Sequence, residues 1–493
     1  MAVETELKLS IEAGHLRRLR RHPLLRARTV GRARTVHIYS VYYDTPALQL
    51  HRHAMALRLR RYGKRWVQTL KGGGQASAGL HQRNEWEMPV AAEQLDFAAL
   101  AESGAVLPHG AHKQLQPLFV TDFSRTVRLI DFEGTRIELC MDSGEIRAGK
   151  ATHPVSELEL ELKSGEPLQL FRLALELLEI APLRVEHTSK AEYGYRLFAP
   201  AMPHPVKAGF SLWHKAQSAS GALQALIGAC LAHVQDNVPG ALQRADEEYL
   251  HQLRVGLRRL RVVLAIARYF RDDAETSALR REVAGLGAAL GQAREWDVLA
   301  TQTLPAIRAR HPQENGWDGL LRQCARKRAS AMNKAGENLA STDFQRMLLR
   351  FGAWLYGAGW PESSISLERL ARQKLQKLHA RVHELALDGD EDPARLHSLR
   401  IASKKLRYSA EIFGPLMSQG GKAYLAKLAA VQDALGALHD IAIADQLLRQ
   451  LDGCQWRATL ALVHAALKDD RAHRVAVFNK AWRRFAQQDG FWN

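Results

Sequence analysis

Two runs of alternating charge constrain this chain more than any other feature: Glu4, Glu6 and Lys8 in VETELKL, and Glu157, Glu159, Glu161 and Lys163 in SELELELK. Successive side chains of a β-strand point to opposite faces, so each run sets carboxylates and a lysine along one side and apolar residues along the other. A single run of this kind is satisfied by a solvated strand face with cross-strand ion pairs. Here the pattern recurs. Arg58 and Arg60 alternate in ALRLRR, Lys71 closes WVQTLK, Arg83, Glu85 and Glu87 alternate in QRNEWE, and Glu138 and Asp142 bracket IELCMD. Strands that are apolar on one face, and that divide their charges into a carboxylate group and an Arg/Lys group on the other, predict a barrel. Its lumen is polar and wide enough for an ion or an anionic ligand.

The chain has 493 residues, more than one core serves, so two or more domains are expected. Its net charge of +17 is unevenly placed: residues 1–204 hold 28 Lys/Arg against 23 Asp/Glu, and residues 205–493 hold 41 against 29. A basic surface of that size implies an acidic partner such as nucleic acid, a membrane face or a phosphate polymer. Cys140, Cys230, Cys324 and Cys454 are far apart and form no CxxC pair, which argues for a reducing compartment. The chain enters a charged strand without an apolar leader, and no stretch approaches 18 uninterrupted apolar residues. A soluble, cytoplasmic protein without membrane attachment is expected.

The fold class that follows is α+β and multidomain. Residues 1–200 mix short strands with helices near 12–22 and 168–179, and Gly72, Gly73 and Gly74 suit a hairpin or mobile loop at the barrel rim. The proline-rich tract around 201–209 reads as a linker. Residues 210–493 carry helical periodicity throughout. His15, His22, His37, His51, His53 and His81 are scattered and read as surface or core positions. Trp66 and Trp86 read as exterior packing on strands.

The helical half repeats itself. HQLRVGLRRLR begins at His251 and HSLRIASKKLR at His397, and LGQAREWDVL, with Arg294, is echoed by LGALHDIAIA at almost the same offset. Two four-helix-bundle-like halves are expected, approximately 210–355 and 360–493. In each copy the basic residues fall at i, i+3, i+7 and i+10: His251, Arg254, Arg258 and Arg261, then His397, Arg400, Lys404 and Arg407, with Lys405 beside them. These positions form one stripe on a helix, while Leu253, Leu257, Leu260 and Leu264 turn to the core. The stripe reads as lacking acidic i+4 partners, and like charges at that spacing repel, so paired stripes predict a groove for a long polyanion. Apart from Tyr408 they lack aromatics for base stacking. Nothing resembles a helix-turn-helix, zinc or RRM-like motif, so specific nucleic-acid recognition is not expected.

These residues resemble two families. VETELKL, YYDTP at 42–46, LRLR at 57–60, TLK at 69–71, the Arg125 region, Asp142, SELELELK and TSKAEYG around Lys190 resemble a CYTH domain, the triphosphate tunnel metalloenzyme fold. The paired histidine and arginine motifs resemble a CHAD domain, the conserved histidine α-helical domain. The order CYTH then CHAD is similar to bacterial inorganic triphosphatases.

The resemblance implies an antiparallel eight-stranded tunnel that hydrolyses inorganic triphosphate. Lys8, Arg58, Arg60, Lys71, Arg83, Arg125 and Lys190 would bind the phosphates. Glu4, Glu6, Asp142, Glu157, Glu159 and Glu161 would hold Mg²⁺ or Mn²⁺, which favour hard oxygen ligands. Glu4, Glu6 and Lys8 would be catalytic. The helical domain would bind inorganic polyphosphate through His251, Arg254, Arg258, Arg261, Arg294, His397, Arg400, Lys404, Lys405 and Arg407, and could associate with polyphosphate granules. The CYTH fold also hosts organic triphosphatases and class IV-type adenylate cyclases. A non-enzymatic polyphosphate-binding protein is the remaining alternative.

Overall fold

The computed structural model describes residues 2–77, 79–200, 204–207, 218–360, 366–386, 392–417, 421–451 and 456–492. Of the expected linker 201–209, only 204–207 lies among them, and Cys454 lies outside. The chain divides into two compact units, residues 1–204 with 340–358, and residues 205–339 with 359–493.

Nine strands of the first unit form one sheet: β1 (Ala2–Ile11), β2 (Thr29–Asp44), β3 (Met55–Tyr62), β4 (Arg65–Ser77), β5 (Leu80–Val90), β6 (Gln116–Phe132), β7 (Thr135–Ala148), β8 (Ala151–Ser164) and β9 (Leu183–Val185). The order is β5-β4-β3-β2-β6-β7-β8-β1-β9, and β1 also pairs with β5. That pairing closes β1 to β8 into an eight-stranded antiparallel barrel. β1 divides one edge to do so: Ala2–Leu7 face β5 and Leu9–Ile11 face β9, while Glu6–Ser10 pair with β8 on the other edge. Closure removes the unpaired edges that an open sheet would expose.

Alternation then separates oil from charge. Leu7, Leu9, Leu158 and Leu160 are fully buried on the outer face. The Leu168–Leu178 helix covers them and buries Leu170, Phe171, Leu173 and Leu177. Truncating any of these leucines to alanine costs about 2–5 kcal/mol. Trp66 and Trp86 alternate with the inward row of Lys71, Arg83 and Glu85, and so face outward.

The glycine run differs from expectation. β4 continues through Gly72, Gly73 and Gly74, and its register against β5 shifts between Gly72 and Gly74. This is a β-bulge rather than a loop. Gly74 has φ +125°, and a Cβ there would lie 2.1 Å from the Gln82 carbonyl oxygen, which only glycine tolerates.

Two short elements place charges at the tunnel. Asp44 of YYDTP is fully buried and accepts from the backbone N–H of Leu50 and His51, both at 2.9 Å, fixing the chain between β2 and β3. Ser189 accepts from the Glu192 N–H at 3.1 Å and caps the Lys190–Phe198 helix. Tyr195 of that helix packs edge-on to Phe119 at 5.1 Å, and Phe119 stacks on Tyr42 at 4.7 Å. Lys190 is thereby presented from the first turn of a helix anchored by aromatic packing.

The Thr342–Tyr356 helix, which the sequence places in the first helical repeat, groups with the barrel. Its apolar face finds a partner there: Tyr356 stacks on Phe171 at 5.6 Å, and Gly352 admits the Phe171 ring. Gln345 of the same helix accepts from the Val185 N–H at 2.9 Å.

The second unit contains no strand among its described residues. Helices Ala219–Gln243, Glu247–Ala267 and Ala274–Val298 pack in sequence, as do Leu367–Ala386, Pro393–Phe413 and Lys422–Leu448. The middle helices of the two triples face each other: Arg258 Nε donates to Tyr408 Oη at 2.9 Å, and Arg259 pairs with Glu411 at 3.2 Å. Leu253, Leu257, Leu260 and Leu264 are buried, as the stripe predicts. Asp392 accepts from the Arg395 N–H and caps the second stripe helix.

Candidate active site and basic groove

Strand register brings the charged rows together inside the barrel. Lys8 lies opposite Glu159 and Glu6 opposite Glu161, Asp142 lies opposite Glu157, and Arg125 opposite Asp142. Lys8 Nζ is 2.8 Å from Glu159 Oε1 and 3.2 Å from Glu6 Oε1. Lys190 Nζ is 2.7 Å from Asp142 and 3.0 Å from Glu159, and also pairs with Glu157. Arg125 forks onto Asp142, with Nε to Oδ1 at 2.8 Å and Nη2 to Oδ2 at 2.6 Å, and also reaches Glu159. Glu6, Lys8, Asp142, Glu157, Glu159 and Lys190 are all buried.

Burial and mutual charge decide the protonation states. Burial works to raise the Glu159 carboxyl, but Lys190, Lys8 and Arg125 together hold it well below the usual range. Burial likewise opposes ionisation of Glu6, and the Lys8 ammonium prevails, drawing it down to about 2. For Glu157 burial wins against Lys190, and its carboxyl is pushed up to about 7. Burial and the nearby Glu6 charge raise Glu4. Lys8 and Lys190 are driven above their ordinary range by the carboxylates, against the pull of burial.

Asp142, Glu157 and Glu159 each offer an oxygen within 4.8 Å of the others. Three buried, convergent carboxylates fit a hard divalent cation, whose charge would offset repulsion that Lys190 and Arg125 now neutralise. The other expected metal ligands are distributed around them. Glu6 connects to this cluster through Lys8. Glu4 pairs with Lys71, which is 3.2 Å from Glu85. Glu161 is partly exposed and pairs with Lys163 at 2.5 Å.

Further along the lumen, Arg58 lies 3.5 Å from Glu85 and 3.5 Å from Tyr42 Oη. Arg60 Nε donates to Ser40 at 3.2 Å and Nη1 to Tyr62 Oη at 3.0 Å. Arg83 lies beside His81, with Nη2 3.2 Å from Nδ1. Of the histidines read as surface or core positions, His81 is a buried one with a place in the tunnel. It faces Glu6 across the β1–β5 ladder, is buried, and leaves Nε2 without a partner among the described residues. Burial, then the Lys8 and Arg83 charges, press its ring down to about 3, so it is neutral. Its parity with Arg83 and Glu85 was the available signal, as was that of Ser40 with Tyr42.

In the helical unit, Arg254, Arg258, Arg261, His397, Arg400, Lys404 and Lys405 line one cavity of about 1060 Å³. Arg268, Arg280, Arg281 and Lys374 join them, and among the described residues Asp272 is the one carboxylate in the lining. His251, Arg294 and Arg407 are not in that lining. Arg294 pairs with Asp297 at 2.5 Å, and with Arg254, Arg400, His439 and Asp440 it borders a separate smaller cavity. Arg407 does have an acidic i+4 partner, Glu411 at 2.7 Å, which corrects the view of an unpaired stripe. Tyr269, 58% exposed, lines the cavity with Tyr408, so it is less bare of aromatics than the stripes suggest.

Comparison with known proteins matches both halves. A CYTH domain model matches residues 2–195 and a CHAD domain model residues 225–449. An inorganic triphosphatase from Haemophilus influenzae is 34% identical over 197 residues, which is 40% of this chain and 55% of that protein. The crystal structure of the CHAD domain from the plant Ricinus communis is similar at 31% identity and TM-score 0.53, covering 58% of this chain and 98% of that one. A Hippeastrum adenylyl cyclase candidate described with a dominant triphosphatase activity aligns at 20% identity and TM-score 0.29, covering 39% of this chain and 95% of that one. With the closed charged tunnel and the paired helical stripes, the two domain matches place the chain in the CYTH and CHAD families, a CYTH domain followed by a CHAD domain.

Proposed function

We propose that the tunnel hydrolyses inorganic triphosphate to pyrophosphate and phosphate with Mg²⁺ or Mn²⁺, and that the helical domain binds inorganic polyphosphate. The observation that carries this is the convergence of Asp142, Glu157 and Glu159 beside a row of buried cations in one lumen. The Haemophilus relative, named for the same activity, supports it, although the chain spans only about half of that protein.

Asp142, Glu157 and Glu159 would hold the metal, which supplies charge neutralisation and Lewis acidity at phosphoryl oxygens. The chain's own cations do the rest of the positioning. Arg58, Arg60, Lys71, Arg83 and Arg125 grip non-bridging oxygens, in a low-dielectric lumen where such interactions are strongest. Lys8 and Lys190 exchange their carboxylate partners for phosphate. Glu6, kept ionised, and Glu4 orient a water in line with the terminal phosphorus. The water oxygen forms the new P–O bond as one of its protons passes to the Glu4/Glu6 carboxylate pair, the bridging P–O bond breaks, and pyrophosphate leaves with its charge held by the cations.

The test is phosphate release from triphosphate with Mg²⁺, with Mn²⁺ and with EDTA, beside ATP and thiamine triphosphate. Glu6→Ala should lose turnover while still melting cooperatively, at a lowered Tm because Lys8 loses a buried partner; full metal-dependent activity in that variant would remove Glu6 from the mechanism. A second reading, an organic triphosphatase or a class IV-type cyclase, rests on Val36 and Tyr62. Both are 37% exposed and continue the inward rows of Ser40 and Arg60, where an organic group could rest. Turnover of ATP or thiamine triphosphate alone selects it. Silence on all substrates from folded protein selects a non-enzymatic polyphosphate-binding role. A cytoplasmic location, with association to polyphosphate granules, belongs to the same proposal. No described helix is long and apolar enough to cross a membrane.

A further inference from the structure

Between Glu12 and Asp44 the chain contains no carboxylate, yet it holds eight arginines and three histidines. Its last residues, Ser40 and Tyr42 among them, turn into the tunnel beside Arg60 and Arg58, whereas all eight arginines precede Thr35. The part that carries the arginines forms two short helices, Ala13–Arg20 and Pro23–Arg28, and the first half of β2. Their apolar side chains, Leu16, Leu19 and Leu25, are buried against the barrel, whereas Arg17, Arg18, Arg20, Arg21, Arg26, Arg32 and Arg34 are exposed.

The fold draws these arginines together rather than spreading them. Arg128 of β6 donates from Nη1 to Thr29 Oγ1 and from Nη2 to the Arg20 carbonyl, both at 3.0 Å, fastening the helix end to the start of β2. Its Nε is buried without a partner among the described residues, and burial together with the Arg26 and Arg20 charges lowers its proton affinity. Of the run's arginines, Arg28 does have a carboxylate, Glu176 at 2.5 Å. Crowding like charges costs free energy unless an anion relieves it.

The face also leads somewhere. Arg34 lies opposite Val127, and two residues on, Val36 lies opposite Arg125, which grips Asp142 in the tunnel. The arginine face is therefore continuous with the rim of the lumen. The two helices expose no large apolar side chain, and the strand part of this surface adds two isolated valines, Val30 and Val36, rather than a contiguous apolar or aromatic face that could insert into lipid. We propose that residues 13–37 form a polyanion surface, separate from the helical domain's groove, that holds linear inorganic polyphosphate beside the tunnel rim. The choice of ligand rests on the phosphate chemistry proposed for the tunnel; binding is read independently of turnover.

The experiment uses the full chain carrying Arg258→Ala and Lys404→Ala, so that the groove is weakened. End-labelled long-chain polyphosphate is titrated at several salt concentrations, with and without Arg18→Glu, Arg21→Glu and Arg32→Glu. The added changes should raise Kd by roughly tenfold or more and shallow the dependence of log K on log salt by about 0.9 for each phosphate that is no longer neutralised. Arg18→Lys, Arg21→Lys and Arg32→Lys should retain most of the affinity. Unchanged Kd and slope in the glutamate variant overturn the proposal, as does a groove-weakened parent that binds nothing. Displacement by duplex DNA as readily as by unlabelled polyphosphate, at matched phosphate, would reassign the surface to nucleic acid. Triphosphate turnover by the same proteins is a separate readout, so failure of the tunnel reaction is not confused with failure of this surface.

Discussion

Lys404 shows how position changes the chemistry of a familiar side chain. Burial lowers its pKa first, and the Arg400, Arg258 and Arg254 charges lower it further against the help of Asp440, leaving it at about 7. A bound polyanion favours the charged ammonium, so binding should take up a proton. Polyphosphate affinity is therefore expected to rise as pH falls from 8 to 6, by at most about tenfold per unit for one linked proton. Lys404→Gln should flatten that dependence, and identical pH profiles in both proteins would refute the assignment. In the tunnel, Glu159 holds Lys8, Lys190 and Arg125 at once. Removing one member of a buried ion network costs about 3–5 kcal/mol because its partners stay buried and uncompensated. Glu159→Gln is expected to lower Tm far more than Glu161→Gln, whose partner Lys163 is partly exposed; equal shifts in thermal melting would contradict this ordering.

At the scale of elements, the β4 bulge offers the sharpest test of how the tunnel is shaped. An alanine at position 74 must adopt φ near +125° and place its Cβ against the Gln82 carbonyl. A cost of about 2 kcal/mol or more follows, lowering Tm by roughly 5 °C in a domain of this size. Gly104→Ala, also at positive φ but with open space around it, isolates the backbone term from the clash. The same bulge marks a limit of reading structure from sequence. Period-two charge in β1, β3, β5 and β8 made the strands and their inward rows legible, because a buried polar lumen leaves few other uses for that pattern. Three successive glycines look like a loop, and only the cross-strand neighbour Gln82 makes them a strand feature. His81 went unassigned for a related reason: histidine is neutral or charged according to its surroundings, and those come from Glu6, Lys8 and Arg83 on two strands. The helical stripes were legible from spacing alone. That Arg294 and Arg407 turn from the cavity to Asp297 and Glu411 depends on packing between helices.

For the whole molecule, the two proposed phosphate activities make different demands on metal. The tunnel places three carboxylates within metal-binding reach of one another, so its cations and anions together require a further positive charge once a triphosphate enters. The helical cavity has many cations and, among the described residues, a single lining carboxylate, Asp272, and can hold a polyanion by charge alone. Chelation should therefore separate the activities. EDTA is expected to abolish phosphate release from triphosphate while leaving the Kd for long-chain polyphosphate within about twofold, because counterion release rather than metal bridging governs that binding. Raising monovalent salt should do the reverse to the balance, weakening polyphosphate binding steeply while sparing the buried tunnel interactions, which lie beyond the reach of bulk screening. The measurements are phosphate release and labelled-polyphosphate titration on one preparation. Loss of polyphosphate binding with EDTA would show that metal bridges the anion to the helical domain, and the cationic cavity would then be insufficient by itself.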